Sequence, residues 1–188
     1  MIHHVSLRRD IDRLLQQHRG ERHIVVLQDY PDPDALGSAL AHQLLSESFG
    51  IHTDIAFAGE ISHHQNRRLV EWLNLRLHHP RDGFRVEGAH GAVFVDNQGT
   101  TCPYIVRLLE RAEIPPVLIM DHHDAESRLE PELEVLETVG ATSTLYAELF
   151  RQGAPSLAPE TDAGRRLASG LLVGIRTDTQ ELASATPR

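Results

Sequence analysis

Carboxylates and imidazoles recur directly after apolar runs in this chain of 188 residues. Residues 24–27 (IVVL) are followed by Gln28, Asp29, Tyr30, Pro31, Asp32, Pro33 and Asp34, and residues 92–95 (AVFV) by Asp96. Residues 117–120 (VLIM) are followed by Asp121, His122, His123 and Asp124, and residues 171–175 (LLVGI) by Arg176, Thr177, Asp178 and Thr179. Carboxylates gathered at one place repel one another unless cations neutralise them. Oxygen-rich donors with an imidazole suit Mn²⁺ or Mg²⁺ better than a thiolate-preferring metal, and Cys102 stands alone. Two such ions sharing a bridging carboxylate form the clamp used in phosphoryl hydrolysis. Any one of these aspartates taken alone is equally a turn former or a helix cap. The metal reading therefore requires that the four runs converge.

The hydrophobic pattern supplies the convergence. Leu7, Ile11, Leu14 and Leu15 have helical spacing, with Gly20 ending that helix. The runs 24–27, 92–95 and 117–120 are too short for buried helices and read as strands. Ile51, Thr53, Ile55 and Phe57 alternate as a further strand. Between these lie helices marked by Leu36, Leu40, Leu44 and Leu45, stopped by Gly50, and by Ile105, Leu108 and Leu109. Ser62 and Gln65 have capping-box spacing before a helix with Leu69, Val70 and Leu73. Thr142 is placed to cap a helix with Leu145 and Leu149, and the last helix carries Leu167, Leu171 and Leu172. The stretch 153–159 reads as a surface connection. Strands alternating with amphipathic helices predict an α/β fold: a parallel, doubly wound β-sheet flanked by helices on both faces. In such sheets sites lie beyond the carboxyl ends of the strands, which is where the acidic clusters fall.

Composition excludes several classes. Net charge is 18 − 27 = −9 with His neutral, which argues against a general grip on long duplex nucleic acid. One cysteine excludes an internal disulfide framework and fits a reducing compartment, read as cytoplasmic. No apolar run approaches the roughly 20 residues of a membrane span. The pairs His3-His4, His63-His64 and His78-His79 follow no strand and read as solvated; Cys102 reads as a small buried residue and Trp72 as helix packing. Neither a P-loop nor a GxGxxG fingerprint is present.

The motifs PDPDALGS (31–38), VFVD (93–96), MDHH (120–123) and GIRTDT (174–179), with GATST (140–144) between the last two, occur in order. In these the chain resembles the DHH phosphoesterase superfamily from Ile24 onward. That superfamily includes RecJ-like exonucleases, short-oligoribonucleotide hydrolases that also act on adenosine bisphosphate, family II pyrophosphatases, exopolyphosphatases and cyclic-dinucleotide phosphodiesterases. The resemblance implies a centre of two Mn²⁺ ions, with Mg²⁺ as the alternative. It assigns Asp32 to the first metal and Asp34 to the second, Asp96 as the bridge, and His122 and Asp178 as completing the second site. His123 would face the substrate phosphate. Ser38 and Gly37, at a helix start, could help bind a phosphate oxygen, with capping or close packing as the equal alternative.

Two departures from the family pattern stand out. Many members carry histidine three residues before the proline of the first motif, where this chain has Gln28, a neutral and weaker ligand for the first metal. Members also usually continue into a smaller C-terminal domain that closes on the substrate. This chain ends at Arg188, and residues 1–188 read as a single catalytic domain, either truncated or an unusual one-domain member. The expected function is hydrolysis of phosphodiester or phosphomonoester bonds in short oligonucleotides or small nucleotides. Pyrophosphate or polyphosphate hydrolysis ranks second, and a metal- or nucleotide-binding regulatory domain is the reading from another class.

Overall fold

The computed structural model describes residues 4–124, 127–153, 158 and 160–184, with side chains from Leu7 onward. His3, most of the 153–159 connection and the last four residues lie outside that set. Six strands run parallel in one sheet: β1 (Arg22–Val26), β2 (His52–Ala56), β3 (Leu77–His78), β4 (Gly91–Val95), β5 (Pro116–Asp121) and β6 (Leu133–Leu136). Their order is β3-β2-β1-β4-β5-β6. The chain first winds outward from β1 through β2 to β3, then returns to place β4 against the other side of β1. The reversal leaves a crevice between the carboxyl ends of β1 and β4, the usual place for a ligand in an open α/β sheet.

The central strands are buried on both faces, which is why they read as unbroken apolar runs. Val25, Leu27, Val93, Val95, Leu118 and Met120 face a layer built by α1 (His4–Gln17), α2 (Pro33–Ser48), α3 (His64–Leu73), α5 (Thr142–Arg151) and α6 (Asp162–Asp178). Ile24, Val26, Ala92, Phe94 and Ile119 face the other way, onto Ile105 and Leu109 of α4 (Pro103–Arg111) and onto Val86. Helices thus cover both faces, unequally. Among the described residues no helix is long and apolar enough to cross a membrane.

Within the thicker layer α2 and α6 cross with glycines at the contact. A Cβ on Gly37 would lie 2.6 Å from the Gly170 carbonyl oxygen, and one on Gly174 would lie 2.4 Å from Ser143 Oγ and 3.0 Å from Asp34 Oδ1. The glycines let the two backbones approach and bring the end of α6 to the end of β1.

Several local expectations are corrected. The run 171–175, grouped with those that follow strands, lies in α6, as the spacing of Leu167, Leu171 and Leu172 predicts, so Asp178 reaches the crevice as the last residue of a helix. Ser62 caps nothing: His63 is the N-cap of α3 and makes no side-chain cap bond. Thr142 is the first residue inside α5, not its cap. Trp72 is 62% exposed and packs little. His63 and His64 are exposed as expected, but His78 and His79 are half-buried. His78 stacks on Phe84 at 4.7 Å, and the His79 ring bridges the Ala58 carbonyl and the Arg81 amide. Cys102 is buried and donates to Asn97 Oδ1.

Candidate metal centre

The first cluster is set by the start of α2. Asp32 is its N-cap, accepting from the Ala35 amide at 2.9 Å through Oδ1, with Pro33 in the first turn. Two residues on, Asp34 is completely buried and turned toward the start of α5. Its Oδ2 accepts from the Thr142 amide at 2.6 Å and its Oδ1 from the Ser143 amide at 2.8 Å. The N-cap of α5, Ala141, has no side chain to offer. Asp34 caps that helix from another element, and the helix N-terminus in turn favours its negative charge. Ser38 lies one turn behind, fully buried, its hydroxyl 3.5 Å from Asp34 Oδ1 and 3.2 Å from Ser143 Oγ. That puts it beneath the carboxylates, away from solvent.

Asp96 follows β4 in a left-handed conformation, φ 58°. The next residue, Asn97, donates to both Val26 O and Val95 O at 2.9 Å, tying the carboxyl ends of β1 and β4 together. Thr142 Oγ1 donates to Asp96 Oδ1 at 2.9 Å. On the far side β5 ends in Asp121, which is itself buried. It accepts from the His122 amide, from His123 Nδ1 at 2.7 Å and from Gln98 Nε2 at 3.0 Å.

His122 is oriented by its distal nitrogen. Nδ1 lies 3.1 Å from the Val139 carbonyl, which can only accept, so Nδ1 carries the proton and Nε2 faces inward. There Nε2 stands 3.2 Å from Asp178 Oδ2, 3.6 Å from Asp96 Oδ1 and 3.8 Å from Asp34 Oδ2. It is buried without a hydrogen-bond partner, and so is Asp96 Oδ2. Such orphaned atoms are uncommon in a folded protein and ask for an explanation.

The charge distribution agrees. Burial pushes the Asp34 carboxyl up despite its Ser143 partner, and burial with the neighbouring Asp34, Asp32 and Asp121 pushes Asp96 well up. Asp32 is raised as well, by burial first. Burial opposes charge on His122, but Asp178 and Asp34 outweigh it and hold the ring above its ordinary value. The cluster attracts positive charge. Donor chemistry, the orphaned atoms and the crowded carboxylates all fit a hard divalent ion held by Asp34, Asp96, His122 and Asp178. Asp34, His122 and Asp178 offer donor atoms within 4.8 Å of one another, and so do Asp96, Asp121, His122 and His123.

Of the residues expected from sequence, the structure gathers Asp34, Asp96, His122 and Asp178 around one point. Asp32 lies beside them and accepts from Gln28 Nε2 at 3.2 Å through Oδ2. For Gln28 to ligate a metal its amide must turn over and present Oε1. Asp29 packs against Gly59 instead of joining the cluster. His123 is half exposed, its ring 4.1 Å from that of His122. Sequence reasoning assigned no role to Asn97, Gln98 or Ser143, read Thr142 only as a helix cap, and counted Asp121 only among the acidic residues at a strand end. These orient the ligands through amides, hydroxyls and the Asp121 carboxylate; Asp121, Thr142 and Ser143 lie inside the quoted motifs, and Asn97 and Gln98 directly follow one.

Comparisons with known proteins bear on the fold and the family. An uncharacterized protein of Methanocaldococcus jannaschii is 28% identical over 150 residues, covering 79% of this chain and 28% of that protein. A probable manganese-dependent inorganic pyrophosphatase of Streptococcus mutans is 22% identical over 158 residues, 83% of this chain and 47% of that protein. The crystal structure of an exopolyphosphatase-related protein from Bacteroides fragilis matches with a TM-score of 0.71 at 16% identity, over 97% of this chain and 53% of that one. That likeness shows the fold. The chain spans about half the length of these relatives or less. The profile of the DHH family, N-terminal domain, matches residues 23–175, which takes in the crevice and all but the final aspartate of the cluster, and the chain belongs to that family.

Proposed function

We propose that this domain is a divalent-metal-dependent phosphoesterase acting on short oligonucleotides or small nucleotides. The observation that carries the reading is His122 Nε2, turned inward by the Nδ1–Val139 contact and buried among the carboxylates of Asp34, Asp96 and Asp178. Asp34, Asp96, His122 and Asp178 would hold one Mn²⁺ or Mg²⁺, and Asp32, Asp96 and Gln28 a second. Bound there, the ions supply Lewis acidity that makes water a nucleophile at neutral pH and offsets charge on phosphoryl oxygens.

The chain's own residues do the rest. Asp34 is immobilised by two amides and Asp96 by Thr142, so the ligands need little reorganisation when ions bind. His123 is held through Nδ1 by Asp121, the main cause of its raised pKa, with burial opposing. Its ring is half exposed, so a protonated Nε2 can donate to a phosphate oxygen entering the crevice. The acidic balance of the chain favours a small substrate over long duplex. A second reading, hydrolysis of pyrophosphate or polyphosphate, draws on the names of the Streptococcus and Bacteroides proteins.

The test is phosphate release from a panel of short oligoribonucleotides, nucleotide monophosphates and bisphosphates, pyrophosphate and polyphosphate, with Mn²⁺, Mg²⁺ or chelator. We expect metal-dependent turnover that Asp96→Asn abolishes, fastest on a nucleotide substrate. Turnover confined to pyrophosphate selects the second reading. Metal binding without turnover on any member of the panel sets both aside in favour of a regulatory domain.

A further inference from the structure

A second group of metal-competent side chains lies at the opposite, amino-terminal edge of the sheet. His18 sits in the turn after α1, Glu21 just before β1, His23 within β1, and Glu132 just before β6. From His23 to Gln28 the chain runs five residues, about 17 Å of extended backbone, so this group is remote from the carboxylate centre. Glu21 Oε2 is the hub: His18 Nδ1 stands 2.7 Å from it and His23 Nε2 3.0 Å. One donor atom from each of the three lies within 4.8 Å of the other two. His23 is fully buried and His18 nearly so, while Glu21 keeps about a third of its side-chain surface open, which leaves an entry path.

The remaining nitrogen of His18 gives the group its character. His18 Nε2 is 3.2 Å from the Glu132 carboxylate, brought there from a segment more than a hundred residues away in sequence. An imidazole that ligates through one nitrogen and donates its other N–H to a carboxylate is the arrangement that fixes tautomer and raises basicity in zinc sites. Two imidazoles and one carboxylate are a donor set suited to Zn²⁺, and unlike the oxygen-rich centre across the sheet they suit it better than Mg²⁺ or Mn²⁺. The charges also balance: two carboxylates, two neutral imidazoles and one divalent cation sum to zero. The present separations are a few tenths of an ångström shorter than the roughly 3.4 Å between ligands of a tetrahedral zinc ion, a gap that small side-chain rotations close.

We propose that His18, Glu21 and His23 form a zinc site, with Glu132 holding His18 through its outer nitrogen and water completing the coordination. The ion would fasten the α1–β1 turn to the start of the edge strand β6. This site stands whether or not the carboxylate centre hydrolyses phosphoesters.

The test uses the whole chain, stripped with chelator and reloaded with Zn²⁺, with bound zinc counted by elemental analysis and affinity read by calorimetry. Co²⁺ serves as a spectroscopic stand-in, because its absorption reports four-coordinate geometry. We expect the wild type to hold one more equivalent than His18→Ala, and that equivalent to survive in Asp96→Asn, which alters only the other centre. Glu21→Gln, which keeps the shape and removes the charge, should abolish tight binding, and Glu132→Gln should weaken it about tenfold. Should His18→Ala fail to fold, Glu21→Gln and Glu132→Gln carry the same comparison. Zinc content and affinity unchanged in Glu21→Gln, or lost in Asp96→Asn while kept in His18→Ala, would overturn the proposal.

Discussion

The Thr142 hydroxyl donates to Asp96 Oδ1 at 2.9 Å, and nothing reaches Oδ2 of the same carboxylate. The two residues come from different layers, one from the start of α5 and the other from the end of β4. The bond fixes the direction of a buried carboxylate whose backbone is already constrained at φ 58°. It leaves the other oxygen buried and without a hydrogen-bond partner. Asp96 is thereby presented to a cation before any cation arrives.

Thr142→Val keeps the shape of the side chain and removes the donor. Its effect should fall on metal binding. We expect Mn²⁺ affinity to drop about tenfold, the usual size of effect for a group that orients a ligand. Stability with chelator present should fall by about 1 kcal/mol, the net worth of an ordinary hydrogen bond. Calorimetric titration beside thermal melts separates the two, and an unchanged Mn²⁺ affinity would mean that Thr142 does not orient Asp96.

The raised pKa of Asp96 makes a signed prediction about stability. A carboxylate whose pKa is higher folded than unfolded makes the native state bind more protons. Its contribution therefore declines as pH rises from the ordinary value of 3.8 through the raised one. Asp96→Asn removes that titration. In chelator, the variant should gain on the wild type as pH is raised from about 5 to about 8. Taking the difference cancels the histidines outside the centre, His23 and His42 among them, and leaves Asp96 with the two rings it touches, His122 and His123. With saturating Mn²⁺ the order should reverse, since only the wild type is stabilised by the ion. Melting curves across that range, with and without Mn²⁺, check both signs, and a flat difference curve would remove the electrostatic account of the centre.

How much of this was legible beforehand depended on burial. β1, β4 and β5 are covered on both faces and read as unbroken apolar runs, so their ends could be placed. The edge strands could not: β3 is two residues long, and in β6 only Val135 is buried, so neither has a periodicity to find. Residues 171–175 are apolar because they lie in a helix buried along one side; the spacing of Leu167, Leu171 and Leu172 marks that helix, while the unbroken run alone resembles the buried strands. Thr142 looked like a cap because it precedes an apolar helical stripe, whereas the actual cap is Asp34, more than a hundred residues earlier. Caps supplied by another element leave no local signal. The acidic residues were visible in sequence, and the amides and hydroxyls that aim them were not.

Of the glycines of α6, Gly174 alone was legible as part of a motif, without a stated reason. Gly174→Ala places a methyl 2.4 Å from Ser143 Oγ and 3.0 Å from Asp34 Oδ1, and Gly37→Ala places one 2.6 Å from the Gly170 carbonyl. Both should destabilise by about 1–3 kcal/mol, the range for overpacking. Only the first presses directly on Asp34. In variants that still fold, Gly174→Ala should weaken Mn²⁺ binding more than Gly37→Ala does. Equal losses would show that the α2–α6 contact supports the fold and has no particular bearing on the cluster.

Gln28 offers the sharpest test of how many ions the crevice holds. Its amide donates to Asp32 Oδ2, while Asp32 Oδ1 accepts from the Ala35 amide. Asp32 is thus occupied on both oxygens, as Asp34 is by two backbone amides, and has less to give a cation than Asp96, whose Oδ2 has no partner. Burial raises its pKa, so the carboxylate gains from any added positive charge. A neutral imidazole at position 28 would be a stronger donor than an amide oxygen and would release Asp32 Oδ2 from the Gln28 bond. Gln28→His should therefore convert weak occupancy at the first position into a tight second equivalent of Mn²⁺, leaving the equivalent at Asp34, Asp96, His122 and Asp178 unchanged. Turnover, if limited by that second ion, should rise with it. Calorimetry on wild type, Gln28→His and Gln28→Ala reads the stoichiometry directly. Identical Mn²⁺ isotherms in all three would place Gln28 outside the coordination sphere, as a partner of Asp32 alone.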